Sequence, residues 1–478
     1  MEIQAKLNKK DEKYRHESLN GPMWRVVLGI GTPLALYQLL SQFFTILDTM
    51  MAAHISEESV SAVAYLSQVN LILSAVGGGL AVGAGILISR AYGEGDLLLV
   101  RKRVSSLYAL CLGVGLLMLA GILPFTGGFL RLAGTPEELI AVGARYFVVE
   151  MFVMVVTFLN NVYIAVERAR GNARRIFLLN ILIIAVKLSL TALFVYVLRG
   201  GLVMIAVASL ISQLAMFFFA LKYSLLAESA FSFSAKAVTL RGNVTAPMVT
   251  QSVPVVAEKA LFAFGKTIVN SMCTLYGPLM VGAMGVSNNL GGITTNPQNG
   301  FQQGTAAIIS QNLGAGKHRR VLEAFYATLL VNVVIGAVFS AVELWQLDFL
   351  AGLFSNSTDS GFREMIKIVY RFEALGAVPL GVNAAVLALL YGLGRTRLTL
   401  LLNFARVFVF RIPVFWFLQN YTGFGEASVG IVMMVSNVSV AVMAAAVGWI
   451  VIRQFKKQYL PRETPRGADP DIIQEGDS

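Results

Sequence analysis

The sequence predicts an all-α polytopic membrane protein whose twelve transmembrane helices form two six-helix lobes related by a pseudo-twofold axis. Three observations carry this. Hydrophobic residues make up 56% of the 478 and charged residues 14%, with a mean hydropathy of +0.69, too apolar for a domain that keeps a charged surface in water. Apolar stretches of ~20 residues, the length a helix needs to cross ~30 Å of hydrocarbon, recur twelve times. A motif near residue 90 returns near residue 310, so the chain reads as a duplication.

In chain order, residues 1–23 are a polar tail, and the apolar segment after it is too long for the core of a cleavable signal, so the first helix is expected to be retained. The amino-terminal lobe, 24–224, holds spans near 24–48, 60–88, 104–124, 140–165, 175–198 and 202–221. Residues 225–245 read as a linker. The carboxyl-terminal lobe, 246–452, holds spans near 246–273, 279–310, 322–345, 365–391, 398–418 and 428–452. The tail 453–478, rich in Pro and acids beyond Tyr459, is expected to be disordered. Lys and Arg cluster in the two tails and in alternate loops (Arg101 to Arg103, Arg168 to Arg175, Lys317 to Arg320, Arg395 with Arg397). The opposite loops hold Arg131, Arg199, Arg363 and Lys367. The positive-inside rule then puts both termini in the cytoplasm, with the protein in the inner or plasma membrane. The net charge of +11 follows that alternation and is no nucleic-acid footprint. Cys111 and Cys273 both fall in or beside spans, so no disulfide framework or metal cluster is expected.

The repeat pairs "ISRAYGEGD" (88–96) with "ISQNLGAGK" (309–317). The second is no phosphate loop, because Gln311 and His318 stand where a Walker A motif needs Gly and Ser or Thr. Setting residue i against i+221 aligns Gly79 with Gly300, Gly83 with Gly304, Gly93 with Gly314 and Gly95 with Gly316. With a slip of one residue it also sets "TILDTM" (45–50) on "TIVNSM" (267–272), placing Asn270 where Asp48 stands. An even number of helices per half starts both halves on the same side, so the axis runs along the membrane normal, as in transporters built from parallel repeats. The Gly-x3-Gly pairs are expected to let backbones approach closely inside each half.

A proline-bearing first helix ending "ILDTMMA", the run "GILISRAYGEGD", its partner "NPQNGFQQGTAAIISQNLGAGK" and "LLYGLGRTR" (389–397) together resemble the multidrug and toxic compound extrusion (MATE) family over residues 25–452. The resemblance implies a V-shaped pair of lobes around a central cavity, alternating between outward and inward openings. It implies export of amphipathic, often cationic compounds against entering protons or sodium, with no other cofactor. It also implies that Asp48 matches the family's ion-coupling acid of the first helix and that Pro33 matches a proline that lets that helix bend. In the fifth helix Lys187 falls where many members have Asn and Thr191 where many have a second Asp, and no acid stands near Leu380 in the tenth.

Charges inside spans cost ~2.5 to 3.5 kcal/mol each on insertion scales, so those present are functional candidates. They are Asp48, Glu150, Lys187, Glu258, Lys259, Lys266, Glu343, Glu373, Arg406 and Arg411. Residues near span ends, such as Glu343, are expected to snorkel to an interface. Asp48 and Lys187 are expected to form a breakable ion pair with Thr191 nearby, and Glu258, Lys259 and Asn270 are expected to line a substrate cavity. The excess of cations in the seventh and eleventh spans points toward an anionic substrate or lipid headgroup. The leading expectation is therefore a monomeric, proton- or sodium-coupled exporter of small amphipathic compounds, and the alternative a flippase or exporter of a lipid-linked or anionic amphipath. An enzyme would need a nucleophile with its base, or an Asp or His cluster. His16, His54 and His318 all lie in or near loops.

Overall fold

The structure is a computed structural model that describes residues 6–53, 57–226, 229–354 and 360–460, and within them all side chains except those of 45–53, 57–65, 226, 278 and 360. Each predicted span is a helix. The first lobe has α1 Met23–Ala53, α2 Glu57–Glu94, α3 Leu97–Ile122, α4 Glu137–Arg170, α5 Ala173–Ala192 and α6 Leu202–Leu226. The second has α7 Gly242–Cys273, α8 Pro278–Gly314, α9 His318–Trp345, α10 in two segments (Ser360–Leu375 and Ala377–Leu393), α11 in two segments (Thr396–Phe404 and Ile412–Tyr421), and α12 Ala427–Tyr459. Among the described residues nine helices are long and apolar enough to cross a membrane, and α10, bent by 47°, makes a tenth. The two that fall short are α7, with Glu258, Lys259 and Lys266, and α8, with the amide-rich run "NNLGGITTNPQNGFQQG". Their polarity is what helices facing a water-filled cavity require.

The repeat glycines pack differently from the expectation. They close the seam between the halves, not the interior of each. The most extensive helix pairs are α2 against α7 and α1 against α8. A Cβ on Gly79 would lie 2.7 Å from the backbone nitrogen of Val256, and one on Gly300 would lie 2.5 Å from that of Ala35. Since 35 + 221 = 256, the two contacts are images of each other. Gly83 likewise abuts the backbone of Ser252, whereas its image Gly304 packs more loosely, against the side chains of Ile30 and Leu34 and, at 3.6 Å, the backbone of Gly31. The physical reason is that α2 and α8 cross the other lobe, where only a missing side chain allows backbones to touch.

The same symmetry seals one end of the molecule, the face that carries the basic loops, the helix over Lys9–Asn20 and the end of α12. A Cβ on Gly93 would lie 2.0 Å from the carbonyl oxygen of Gln311, and one on Gly314 would lie 2.2 Å from that of Arg90. Arg90 donates to the carbonyl of Leu393 at 3.0 Å, Ser310 to that of Ile86 at 2.7 Å, and Gln311 to that of Ala169 at 2.5 Å, each bond joining the two lobes.

The amino-terminal segment, expected to be a tail, is instead a helix over Lys9–Asn20 laid across that seam. Asn8 caps it by accepting from the Asp11 amide at 2.9 Å, with acids in the first turn where the helix dipole favours them. Buried Asp11 pairs with Arg170 at 3.1 Å and accepts from Ser229 at 2.6 Å, and Arg15 donates to the carbonyls of Tyr92 and Gly93 at 3.0 Å each. Toward the other lobe, Ser18 bonds Gln311, while Arg320 donates to the carbonyls of Ser18 and Gly21 at 3.2 and 2.8 Å. The connection between the lobes is likewise packed, with Phe231 edge-on to Tyr92 and the Thr239 amide donating to Ser106.

Candidate functional site

A cavity of about 480 Å³ lies between the lobes, walled by α1, α2, α4, α7, α8, α10, α11 and α12. Sequence explains how each wall is built. On α7, Lys259, Phe262 and Lys266 stand at i, i+3 and i+7, one stripe of a helix with 3.6 residues per turn, and all three line the cavity. On α8 the amide run contributes Asn288, Asn296, Asn299, Gln302 and Gln303 to the opposite wall, and Asn296 donates to Gln42 of α1 at 2.9 Å.

α11 needs its irregularity to do its part. Pro413 has no N–H for the Val409 carbonyl, and the helix before it relaxes into a π turn, Ala405–Val409, closed by the Phe410 amide donating to Ala405 at 2.9 Å. A five-residue turn brings Arg406 and Arg411 to one side, where they would lie far apart on an α-helix. Both guanidiniums donate to the same side-chain oxygen of Asn437 on α12, at 2.9 and 3.1 Å, and Arg411 also donates to Ser436 at 3.0 Å.

Glu258 is buried, yet it reaches the cavity wall and accepts from Tyr391 at 2.7 Å, Asn403 at 2.7 Å and Thr399 at 2.6 Å. The hydroxyl of Thr399 is also 2.9 Å from the carbonyl of Thr396. One hydroxyl carries one proton, so it serves one acceptor at a time. When it serves Thr396, a protonated Glu258 can donate to Thr399 instead. The site therefore satisfies both the charged and the neutral carboxyl without moving a heavy atom. Glu373, in the first segment of α10, also lines the cavity and accepts from Ser287. In all, five cations (Arg168, Lys259, Lys266, Arg406 and Arg411) and two carboxylates share this lining.

The residues expected from sequence fall in several places. Glu258 and Lys259 line the cavity, Lys259 exposed to it. Asn270, on the same helix, does not: twelve residues beyond Glu258 it lies about 18 Å further along the axis at 1.5 Å per residue. Lys187 is half-buried and Thr191 fully buried on α5, and neither lines the cavity. Pro33 sits half-buried inside α1, whose helix runs on through it. The Asp48 side chain lies outside the described residues, and so does its pairing with Lys187. Glu343 corrects the expectation of snorkelling. It is 4% exposed, accepting from Thr294 at 2.9 Å and from Tyr370, because donors on α8 and α10 satisfy it inside the bundle. Glu373 and the paired arginines are what sequence reasoning did not assemble. Their spacing from Pro413 was the available signal for the arginines.

A family model described as MatE matches residues 33–193 and 254–417, more than half of the chain. Among curated proteins, the "Probable multidrug resistance protein YoeA" of Bacillus subtilis is 24% identical over 326 residues, 66% of this chain and 70% of that one. A "FAD transporter" of Shewanella oneidensis is 22% identical over 426 residues, 84% of this chain and 89% of that one. Among solved structures, an outward-facing MATE family transporter of the MOP superfamily superposes with a TM-score of 0.88 at 19% identity, covering 95% of this chain and 100% of the other.

Proposed function

This chain belongs to the MatE family of membrane transporters, and on that premise we propose that it is a monomeric secondary-active exporter that moves amphipathic compounds through the central cavity by alternating access. The observation that carries the reading is a cavity sealed at one end by contacts that can come apart. At the seal the lobes meet through side-chain-to-backbone hydrogen bonds and glycine-to-backbone touches, with the amino-terminal helix laid across them. In the proposed cycle the sealed face is cytoplasmic, as the basic loops require, with both termini there and the protein in the inner or plasma membrane. Separation of Gly93 from Gln311 and of Gly314 from Arg90 would admit cargo from inside, and closure there releases it outside.

The driving ion is a proton or sodium entering as cargo leaves. Glu258 is the described carboxyl best placed to carry it, because its ring of neutral donors accepts either protonation state. Each state then favours one arrangement of the lobes to the extent that its bonds differ between them. Asp48, with Lys187 and Thr191, is proposed as the corresponding coupling group of the amino-terminal lobe. One charge entering at 100 mV supplies ~2.3 kcal/mol, enough to drive accumulation outside.

The relatives' names run from multidrug resistance to FAD, a span of chemistry wide enough that the cargo class must be read from this cavity's own lining. The test of the exporter reading is efflux of ethidium and of carboxyfluorescein from proteoliposomes under a pH gradient alone and a sodium gradient alone. Gradient-driven efflux of either dye, abolished in Glu258→Gln or Asp48→Asn protein, is expected. Folded wild-type protein that moves neither dye under either gradient contradicts the reading.

A further inference from the structure

We propose that the cargo is an amphipathic organic anion, its acidic group seated against Lys266, Arg406 and Arg411 and its apolar body lying along Phe262. The inference rests on the exporter reading for the direction of movement, and on the cavity alone for the class of ligand.

Five cations face two carboxylates in the lining, so positive charge stays in excess even with Glu373 near Lys266, Arg406 and Arg411 and Glu258 beside Lys259. Glu258 is engaged by Tyr391, Thr399 and Asn403, and Glu373 by Ser287, all neutral groups. Among the described residues, none of the five cations has a carboxylate within ion-pair distance (4.0 Å). Buried charge is ordinarily paired or hydrogen-bonded throughout. Here Arg411, only 3% exposed, has neutral partners alone, and Arg406 shares one of them.

Two guanidiniums held on one amide oxygen repel each other and are kept together by the π turn of α11. What relieves that arrangement is a group with two or more negatively charged oxygens, because guanidinium forks bind carboxylate, sulfonate and phosphate bidentately. Lys266 adds a third charge from α7, and among the described residues its ammonium has no carboxylate within 4.0 Å. Phe262 stacks its face toward Arg406, with the guanidinium carbon 5.3 Å from the ring centre, so an apolar wall adjoins the charged one. The same lining disfavours the opposite class: an organic cation would meet like charges that outnumber the acids five to two, the repulsive element that selectivity requires.

The test uses carboxyfluorescein, an aromatic polycarboxylate, and ethidium, an aromatic cation, with purified full-length protein. Fluorescence polarisation is expected to report carboxyfluorescein binding that weakens at least tenfold in Lys266→Gln and in Arg406→Gln, with ethidium bound more weakly than carboxyfluorescein by wild type. Lys266→Gln removes no ion pair among the described residues and keeps the test open if Arg406→Gln fails to fold. Carboxyfluorescein binding unchanged in both variants overturns the site. Binding of neither dye, or of ethidium alone, overturns the anion class, and if ethidium is also exported the exporter reading survives that loss. Carboxyfluorescein bound in a Lys266-dependent way, with no gradient-driven efflux, upholds the anion site and fails the exporter reading instead.

Discussion

Gly93 and Gly314 are the residues on which the sealed face turns, since each touches the other lobe's backbone where a single methyl group would intrude. Gly93→Ala is expected to destabilise this closed arrangement by ~1 to 3 kcal/mol, the usual range for overpacking, and to raise the reactivity of a cysteine placed at Ser89 on the cavity wall. Unchanged melting and unchanged labelling would mean that the seam tolerates separation. Glu258→Gln tests the carboxyl differently. Glutamine keeps the volume but cannot take up a proton, so transport driven by a pH gradient should fall to background while carboxyfluorescein binding persists. Proton-driven transport at the wild-type rate would remove Glu258 from the coupling step. At this scale the sequence was partly legible. Glu258 and Lys259 stood out because charge in a span is costly, but no single residue reveals that Tyr391, Thr399 and Asn403 converge on that carboxyl from two other helices. Asn270 was misplaced because repeat alignment reports which residues are equivalent and not how far along the helix the cavity extends.

The helices themselves show where hydropathy reads well and where it fails. α2 to α6, α9 and α12 follow from uniform apolar runs, whereas α7 and α8 are the least apolar spans because they face the cavity, so the weakest signals marked the functional wall. The π turn of α11 was not readable from periodicity, which assumes 3.6 residues per turn throughout, although Pro413 marked the place. The amino-terminal helix was concealed by its polarity, and its docking partners lie far along the chain. That helix holds both lobes at the sealed face, so deleting residues 1–20 should speed hydrogen exchange at 90–97 and 311–320 while the twelve spans stay inserted. Identical exchange would reduce the helix to decoration. Asp11→Asn is a sharper change, since it leaves Arg170 with Glu167 as its one acidic partner among the described residues. Breaking a buried pair costs about 3 to 5 kcal/mol where no compensation exists, and the retained Glu167 should hold the loss below that.

Across the whole molecule the duplication explains more than any one element. A repeat offset of 221 residues relates the glycine contacts at the seam and those at the sealed face, so both lobes present the same surface to each other. An interface built from two copies of one contact set can separate at one end and close at the other with little change within each lobe, which is the mechanical content of alternating access. The two-lobe architecture was legible from the repeat and the count of spans. The seam was not, because a repeat reports what is equivalent and leaves unsaid what touches what. The account's central claim is that this face opens. The most direct measurement is the distance between spin labels at Glu94 and Lys317, on opposite lobes at the sealed face, in protein whose Cys111 and Cys273 have been replaced by serine. The account predicts a short distance matching the closed arrangement and a second, longer one whose population changes with pH or sodium and disappears in Glu258→Gln. A single short distance under every ion condition, with and without carboxyfluorescein, would contradict it.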